Sequence, residues 1–299
     1  MGYSNGQSGF VSLPSGSFQP DSNSAIAYEA STGRYRTTQS PVLYGDSGVP
    51  TYDSARQRWI PVLQANILSD GSAYVYTREA HPTQSRNEIH LVNVASGEDR
   101  IIYDQGAYDT LAYNADGVYL QHHLNGTDAA NGLWLLNTTT GSIKAYPTGE
   151  RATWAAIAWG GAWSYSVDGN RFGSSKFAKM DLSTGSITNW FDAGGSAQPP
   201  QNGSRSVRIF GFDGSKPLVE VWINGGTPQV WLLSGPGQAS RFPDVPLGQA
   251  SPPLATTDSH GTWLIGTDGV YLYSNSLFTR VAAAPPGPSN SYGVAGPCS

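Results

Sequence analysis

One phrase recurs along this 299-residue chain: an alternating apolar strand, a small polar cluster, a closing glycine and a second strand. It reads AIAYEASTG at 25–33, EIHLVNVASG at 88–97, LWLLNTTTG at 133–141 and FAKMDLSTG at 177–185. It returns more loosely as QVWLLSG at 229–235 and degenerately as GVYLYSN at 269–275. Alternation with period 2 sends successive side chains to opposite faces of a sheet. The polar cluster ending in Gly supplies the side-chain acceptors and the left-handed residue of a tight turn. Six copies of one β-hairpin make this a repeat architecture.

The closing glycines Gly33, Gly97, Gly141, Gly185 and Gly235 lie 64, 44, 44 and 50 residues apart. A repeat of about 40–50 residues is that of a four-stranded propeller blade. The spacing therefore predicts an all-β chain: one six-bladed β-propeller of four-stranded antiparallel blades over 1–284, with seven blades the alternative. Blades are expected at 59–103, 110–146, 154–191, 206–242 and 253–281, after a short, irregular first blade near 10–42. In the second blade, 59–65 is expected as the first strand, followed by strands at 73–77, 88–94 and 100–103. Residues 10–13 are the candidates for closing the ring against the last blade, which would remove exposed sheet edges. Residues 285–299 (PPGPSNSYGVAGPCS) read as a Pro/Gly/Ser-rich tail. Sustained 3.6-residue periodicity with caps is lacking, so almost no helix is expected.

Composition narrows the function classes. At 38% hydrophobic, 11% aromatic and 13% charged, the chain is too apolar and aromatic for disorder. Net charge is −5, and the densest cations are only Arg56/Arg58 and Arg205/Arg208. Nucleic acid and anionic membranes, which need clustered cations, are therefore not expected partners. The single cysteine, Cys298, permits no intramolecular disulfide and no Cys-based metal site. No apolar run approaches the roughly 18 residues of a membrane-spanning helix, and the start, MGYSNGQSG, has no signal-peptide pattern. Either a cytosolic address or a removed targeting segment fits. The Gly/Ser/Asn/Pro-rich ends and scarce Lys favour an extracytoplasmic or secreted protein.

LSDGSAYVYTREA at 68–80, followed by NEIHLVNVASGE at 87–98, resembles the TolB-type propeller repeat: a DG turn, an apolar strand, and a strand ending in a polar-Gly turn. NADGVYLQ at 114–121 before LWLLNTTTG is similar, and TDSHGTWLIGTDGVYLYS at 257–274 resembles the repeat of two-component-regulator propellers. The resemblance implies extracytoplasmic sensing or protein binding, by analogy of fold. A sialidase Asp-box is nearly present at 256–263, but His260 inserts a residue between Asp258 and Gly261 and no second copy occurs. A sialidase is therefore not expected.

Chemistry-bearing residues are scattered. Of five histidines, His81, His122 and His123 fall between the second and third strands of adjacent blades, with Glu79, Glu88 and Asp128 nearby. Adjacent strand residues point to opposite faces, so His122 and His123 cannot both join one site. This reads as ordinary loop histidines, and neither a metal nor a cofactor is assigned. No G-x-S-x-G elbow is present. The Gly-Gly pairs precede no helix and so cannot cradle phosphate. Glycosidase work needs two acids about 5–10 Å apart, and spacing does not choose among Asp21, Glu29, Asp46, Asp53, Asp109, Glu150 and Glu220. The c–d turns are short, whereas the b–c and d–a segments 44–58, 78–87, 122–132, 168–176 and 193–205 are long and polar. Binding residues collect on such loops of a rigid scaffold. The candidate binding residues are Arg78, His81, Arg86, Tyr108, His122, His123, Asp128, Trp154, Asn170, Arg171 and Arg205. The expected function is a non-catalytic extracytoplasmic binding or sensor propeller recognising a protein or small ligand on that face. The alternatives are a glycan-binding lectin-like propeller, or a carbohydrate-active hydrolase or lyase on the same scaffold.

Overall fold

The computed structural model describes residues 3–4, 7–81, 86–122, 132–148, 152–166, 176–192, 205–223, 227–243, 245–247, 255–283 and 294–296. Among them the only helical elements are two single 3-10 turns, Ser22–Ser24 and Gln64–Asn66, and everything else regular is strand. The strands form eight antiparallel sheets, almost all of them meanders in chain order.

The first sheet is β1 (Tyr3–Ser4), β2 (Gln7–Val11) and β3 (Phe18–Pro20), and the second is β4 (Ile26–Glu29), β5 (Arg34–Thr37) and β6 (Tyr44–Gly45). A two-stranded ribbon, β7 (Thr51–Asp53) and β8 (Arg58–Ile60), precedes the three-stranded sheet of β9 (Ala73–His81), β10 (Arg86–Asn93) and β11 (Asp99–Gly106). Four four-stranded sheets follow. They are β12–β15 (Tyr108–Asn114, Gly117–His122, Leu133–Leu136, Ile143–Tyr146) and β16–β19 (Ala152–Ala158, Gly161–Ser166, Lys176–Asp181, Ile187–Asp192). The last two are β20–β23 (Arg205–Asp213, Lys216–Ile223, Gln229–Gly235, Gln238–Phe242) and β24–β27 (Thr256–Asp258, Gly261–Ile265, Gly269–Ser274, Leu277–Ala283).

These last four sheets match the expected blades to within a few residues at each end. The recurring phrase is their third strand plus its turn. Asn93, Asn137 and Asp181 open equivalent turns, each side-chain oxygen accepting two backbone N–H bonds at 2.9–3.0 Å. Gly97, Gly141 and Gly185 close them at φ of 73°, 70° and 73°, their N–H groups donating back to the opening carbonyls. The hydrogen bonds of its hydroxyl and amide neighbours hold the Asp181 carboxyl down at about 2.

The N-terminal third departs from expectation. Residues 59–65 do not form the first strand of a four-stranded blade. Arg58–Ile60 pairs only with Thr51–Asp53, and Gln64–Asn66 is a 3-10 turn. Pro61 is the cause: it has no N–H to give a ladder and ends the strand where it stands. Residues 10–42 are not one irregular blade either, because Gln7–Val11 belongs to a separate first sheet. Of the candidate closing residues 10–13, Phe10 and Val11 pair with Gln19 and Phe18 in the ladder, and Val11 abuts side chains of the last sheet without joining its ladder.

Two compact units divide the chain: residues 21–157, and residues 1–20 with 158–299. In the unit 21–157, the two faces of β9 serve different cores. Tyr74 and Tyr76 pack with Leu43, Ile60, Val62, Val92 and Val94, all fully buried. Val75 packs with Ile89, Val118, Leu120 and Leu136. Burial on both faces is what sheets stacked face to face require, and each such side chain contributes about 1.5–3 kcal/mol. In the other unit, Val230, Leu264 and Tyr271 join Val245 and Leu247. Val11 packs against Trp263, Ile265, Val270 and Ala282 beside Val294.

Candidate binding site

A cavity of about 380 Å³ opens in the unit 21–157, lined by Asp46, Ser47, Leu63, Asn66, Thr77, Glu79, Asn87, Asp109 and Thr110. Pro61 governs one wall. The Pro61 carbonyl accepts from Ser47 N–H at 3.0 Å, and Gly45 runs so close to that carbonyl that a Cβ would collide with it. The segment carrying Asp46 is thereby fixed. The 3-10 turn after Pro61 delivers Leu63 and Asn66 where the missing strand would have run. On β12 the register shifts between Thr110 and Ala112, a bulge that locally twists the strand beside Asp109 and Thr110.

Hydrogen bonds knit the wall. Thr77 N–H donates to Asp46 Oδ2 at 3.0 Å, Thr110 N–H to Thr77 Oγ1 at 2.9 Å, and Asn66 Nδ2 to Thr110 Oγ1 at 3.0 Å. Asn87 Nδ2 donates to the Tyr108 carbonyl at 3.0 Å, with Asp109 Oδ1 at 3.4 Å. Asn66, 5% exposed, leaves its carboxamide oxygen buried without a hydrogen-bond partner. Asp46 is an exposed residue whose carboxyl is partly desolvated by the neighbouring chain. That desolvation, with the Asp109 charge adding to it and the Thr77 bond opposing, pushes it up to about 6. Water at the exposed edge tempers the size of this shift and leaves its upward direction.

Strand alternation separates Arg78 from the cavity: Thr77 and Glu79 line it, while Arg78 between them bonds Glu88 Oε2 at 3.3 Å. Glu88 also meets His90 Nε2 at 3.1 Å, and His90 Nδ1 meets Asp99 Oδ1 at 2.7 Å. Tyr76 and Arg34 donate to Asp99 Oδ2 at 2.7 and 3.1 Å. Burial pushes Asp99 up, but the His90 and Tyr76 bonds and the Arg34 charge outweigh it and hold the carboxyl below its usual range. This network ties β5 to β9–β11.

The other candidates are dispersed. Arg86 opens β10 rather than sitting in a loop, and it donates to the Asp104 carbonyl. His81 ends β9, paired with Arg86. Tyr108, His122 and Trp134 form an aromatic cluster, with Tyr108 4.9 Å from Trp134 and His122 5.3 Å from each ring. Trp154 is buried and donates to the Gly132 carbonyl at 3.0 Å. Arg205 opens β20. His123, Asp128, Asn170 and Arg171 lie outside the described residues. The Asp-box-like segment is a hairpin whose Asp258 Oδ2 accepts from Trp263 Nε1 at 2.8 Å. Among the described residues, no three His, Cys, Asp or Glu side chains are arranged to hold a metal ion.

The sheets can be set beside solved folds. The β-propeller domain of the Trilobed protease from Pyrococcus furiosus, described as having an open velcro topology, aligns at TM-score 0.50 and 11% identity over 83% of this chain and 80% of its own. This chain folds as a β-propeller. Pyrococcus horikoshii acylaminoacyl peptidase aligns with the propeller at TM-score 0.53 and 10% identity, over 87% of this chain and 44% of the peptidase. TolB from Acinetobacter baumannii aligns at TM-score 0.49 and 12% identity, over 91% of this chain and 66% of its own. The propeller thus spans under half of the peptidase and about two thirds of TolB. No protein-family model matches it, and no curated protein matches its sequence.

Asp46 and Asp109 were among seven acids that spacing could not rank. Asn66, Thr77, Asn87 and Thr110 went unnoticed as site residues. The one available signal was Pro61, inside a segment read as strand.

Proposed function

We propose that this propeller is a non-catalytic binding module acting outside the cytoplasm, and that a small ligand occupies the cavity walled by Asp46, Asn66 and Asp109. The observation that carries the reading is a cavity of ligand size, built from five separate chain segments and lined by polar and acidic side chains. Clefts with a few convergent polar groups and an apolar flank are where small ligands bind. The extracytoplasmic address rests on composition, and among the described residues no helix is long and apolar enough to cross a membrane. A fragment screen by NMR on the isotope-labelled chain tests this. Shifts clustering on Asp46, Asn66, Thr77, Asn87 and Asp109 are expected. Hits confined to other surfaces, or none, would remove the assignment.

One observation favours a second reading. A carboxyl raised to about 6 beside another acid is the arrangement of a general acid and its partner in glycoside cleavage. Turnover of aryl glycosides that is abolished by Asp46→Asn and by Asp109→Asn would replace the binding reading with this one.

A further inference from the structure

One motif in the sequence has no part in the cavity. Asn137-Thr138-Thr139 is an Asn-x-Thr triplet, the acceptor pattern for an N-linked oligosaccharide. It lies in the turn between β14 and β15, where Asn137 and Thr139 are both exposed. Asn137 Oδ1 is occupied, accepting from Thr139 N–H and Thr140 N–H at 2.9 Å each. Those bonds orient the carboxamide and leave Nδ2, which donates to no described residue, as its unused polar atom. The equivalent turns show that folding does not require this pair. Asp181 opens its turn with the same two backbone bonds and no amide, and its carboxylate takes the Ser183 hydroxyl, two residues on, at 2.6 Å. Asn93 has the amide, but Ala95 stands where the hydroxyl would be. Of the three turns, only that of Asn137 joins an amide to a hydroxyl two residues on, and the Thr139 hydroxyl is not spent on Asn137. Asn125 and Asn202 begin triplets of the same pattern and lie outside the described residues. The turn is clear of the cavity. Thr110 on the cavity wall stands opposite Leu120, and Leu120 opposite Trp134, so that row crosses β14 three residues before Asn137, about 10 Å along the strand.

We infer that Asn137 is an acceptor for an N-linked glycan. Transfer from a lipid-diphosphate-linked oligosaccharide forms a bond from Asn137 Nδ2 to the sugar C1 and breaks the C1–O bond to the diphosphate. The lipid diphosphate leaves, and Nδ2 gives up one proton. Such transfer reaches only a chain that enters an export route, so the assignment rests on the extracytoplasmic address proposed above and is independent of the cavity. The full chain, secreted behind a cleavable leader from a eukaryotic cell line, tests it. Removing the glycans with peptide-N-glycosidase in heavy-oxygen water turns each formerly glycosylated Asn into a labelled Asp, which peptide mass mapping locates. Most copies should carry the label at Asn137. Asn137→Asp keeps the acceptor that the turn uses, as Asp181 does, and should lose the label with the melting temperature unchanged. Thr139→Ala should lose it as well, and Thr139→Ser should keep it. An unlabelled Asn137 in secreted, folded wild-type chain would overturn the inference, and so would a label that survives in Thr139→Ala. Either result would leave the address and the cavity as they stand. Native protein confined to the cytoplasm by cell fractionation would remove the address, and the modification with it, even where the leader-driven chain is labelled.

Discussion

Gly97 and Gly141 close equivalent turns at φ of 73° and 70°, yet their surroundings differ. A Cβ at Gly97 would lie 2.8 Å from Pro41 Cβ, whereas at Gly141 the nearest atom is 3.5 Å away. Alanine at Gly141 should cost only the left-handed backbone penalty, about 1 kcal/mol. At Gly97 the cost should be larger, because Pro41 must also move. Urea denaturation of the two variants checks this, and equal losses would refute the packing argument. Asp46 gives a second test at this scale. Desolvation pushes the native carboxyl up from its ordinary value of 3.8 toward about 6, the more weakly as water reaches its exposed edge. Between those pH values the native state binds more protons than the unfolded chain, so this group's contribution to stability falls as pH rises through the window and stays lower above it. Asp46→Asn should flatten that slope and raise the melting temperature at pH 7. An unchanged pH–stability curve would mean that the carboxyl is as hydrated as in the unfolded chain. Nothing in single-residue spacing revealed this, because the neighbours that press on Asp46, Thr77 and Asp109, come from chain positions far from it.

At the scale of elements, β9–β11 shows why a strand pattern is easy to see and a side-chain network is not. Alternation in AYVYT announces two buried faces, and Tyr74, Tyr76 and Val75 are all fully buried. The same alternation turns Arg78 away from the cavity, which a loop reading of 78–87 could not anticipate. That His90 would meet Glu88 and Asp99 depended on register, and Arg34 arrives from another sheet. The network's energetics differ from those of surface pairs. Asp99 is shared by His90, Tyr76 and Arg34 and is 15% exposed at its side chain. Asp99→Ala removes the acceptor that all three share, leaving Arg34 beside Tyr76 and His90 beside Glu88, and should cost about 3 kcal/mol. The Arg86–Asp104 pair is 44% and 55% exposed, and Asp104→Ala should change stability by less than about 0.5 kcal/mol. Chemical denaturation of both variants decides it, and comparable losses would mean that the network is no more than a surface contact.

Over the whole molecule, the repeat made the β-propeller legible because β12–β15 and β16–β19 restate the same strand, turn and closing glycine, while β20–β23 and β24–β27 restate the strand with a different turn. It was least informative where the chain stops repeating, and the cavity lies there. Pro61 carries a consequence beyond local geometry. In a fold of repeats each unit answers mainly to its neighbours, so one strand can be withheld without unseating the rest. A single imino acid can therefore end one strand locally. The irregularity at Pro61 is thereby contained: it shapes one wall of a cavity while the sheets that follow keep their four strands.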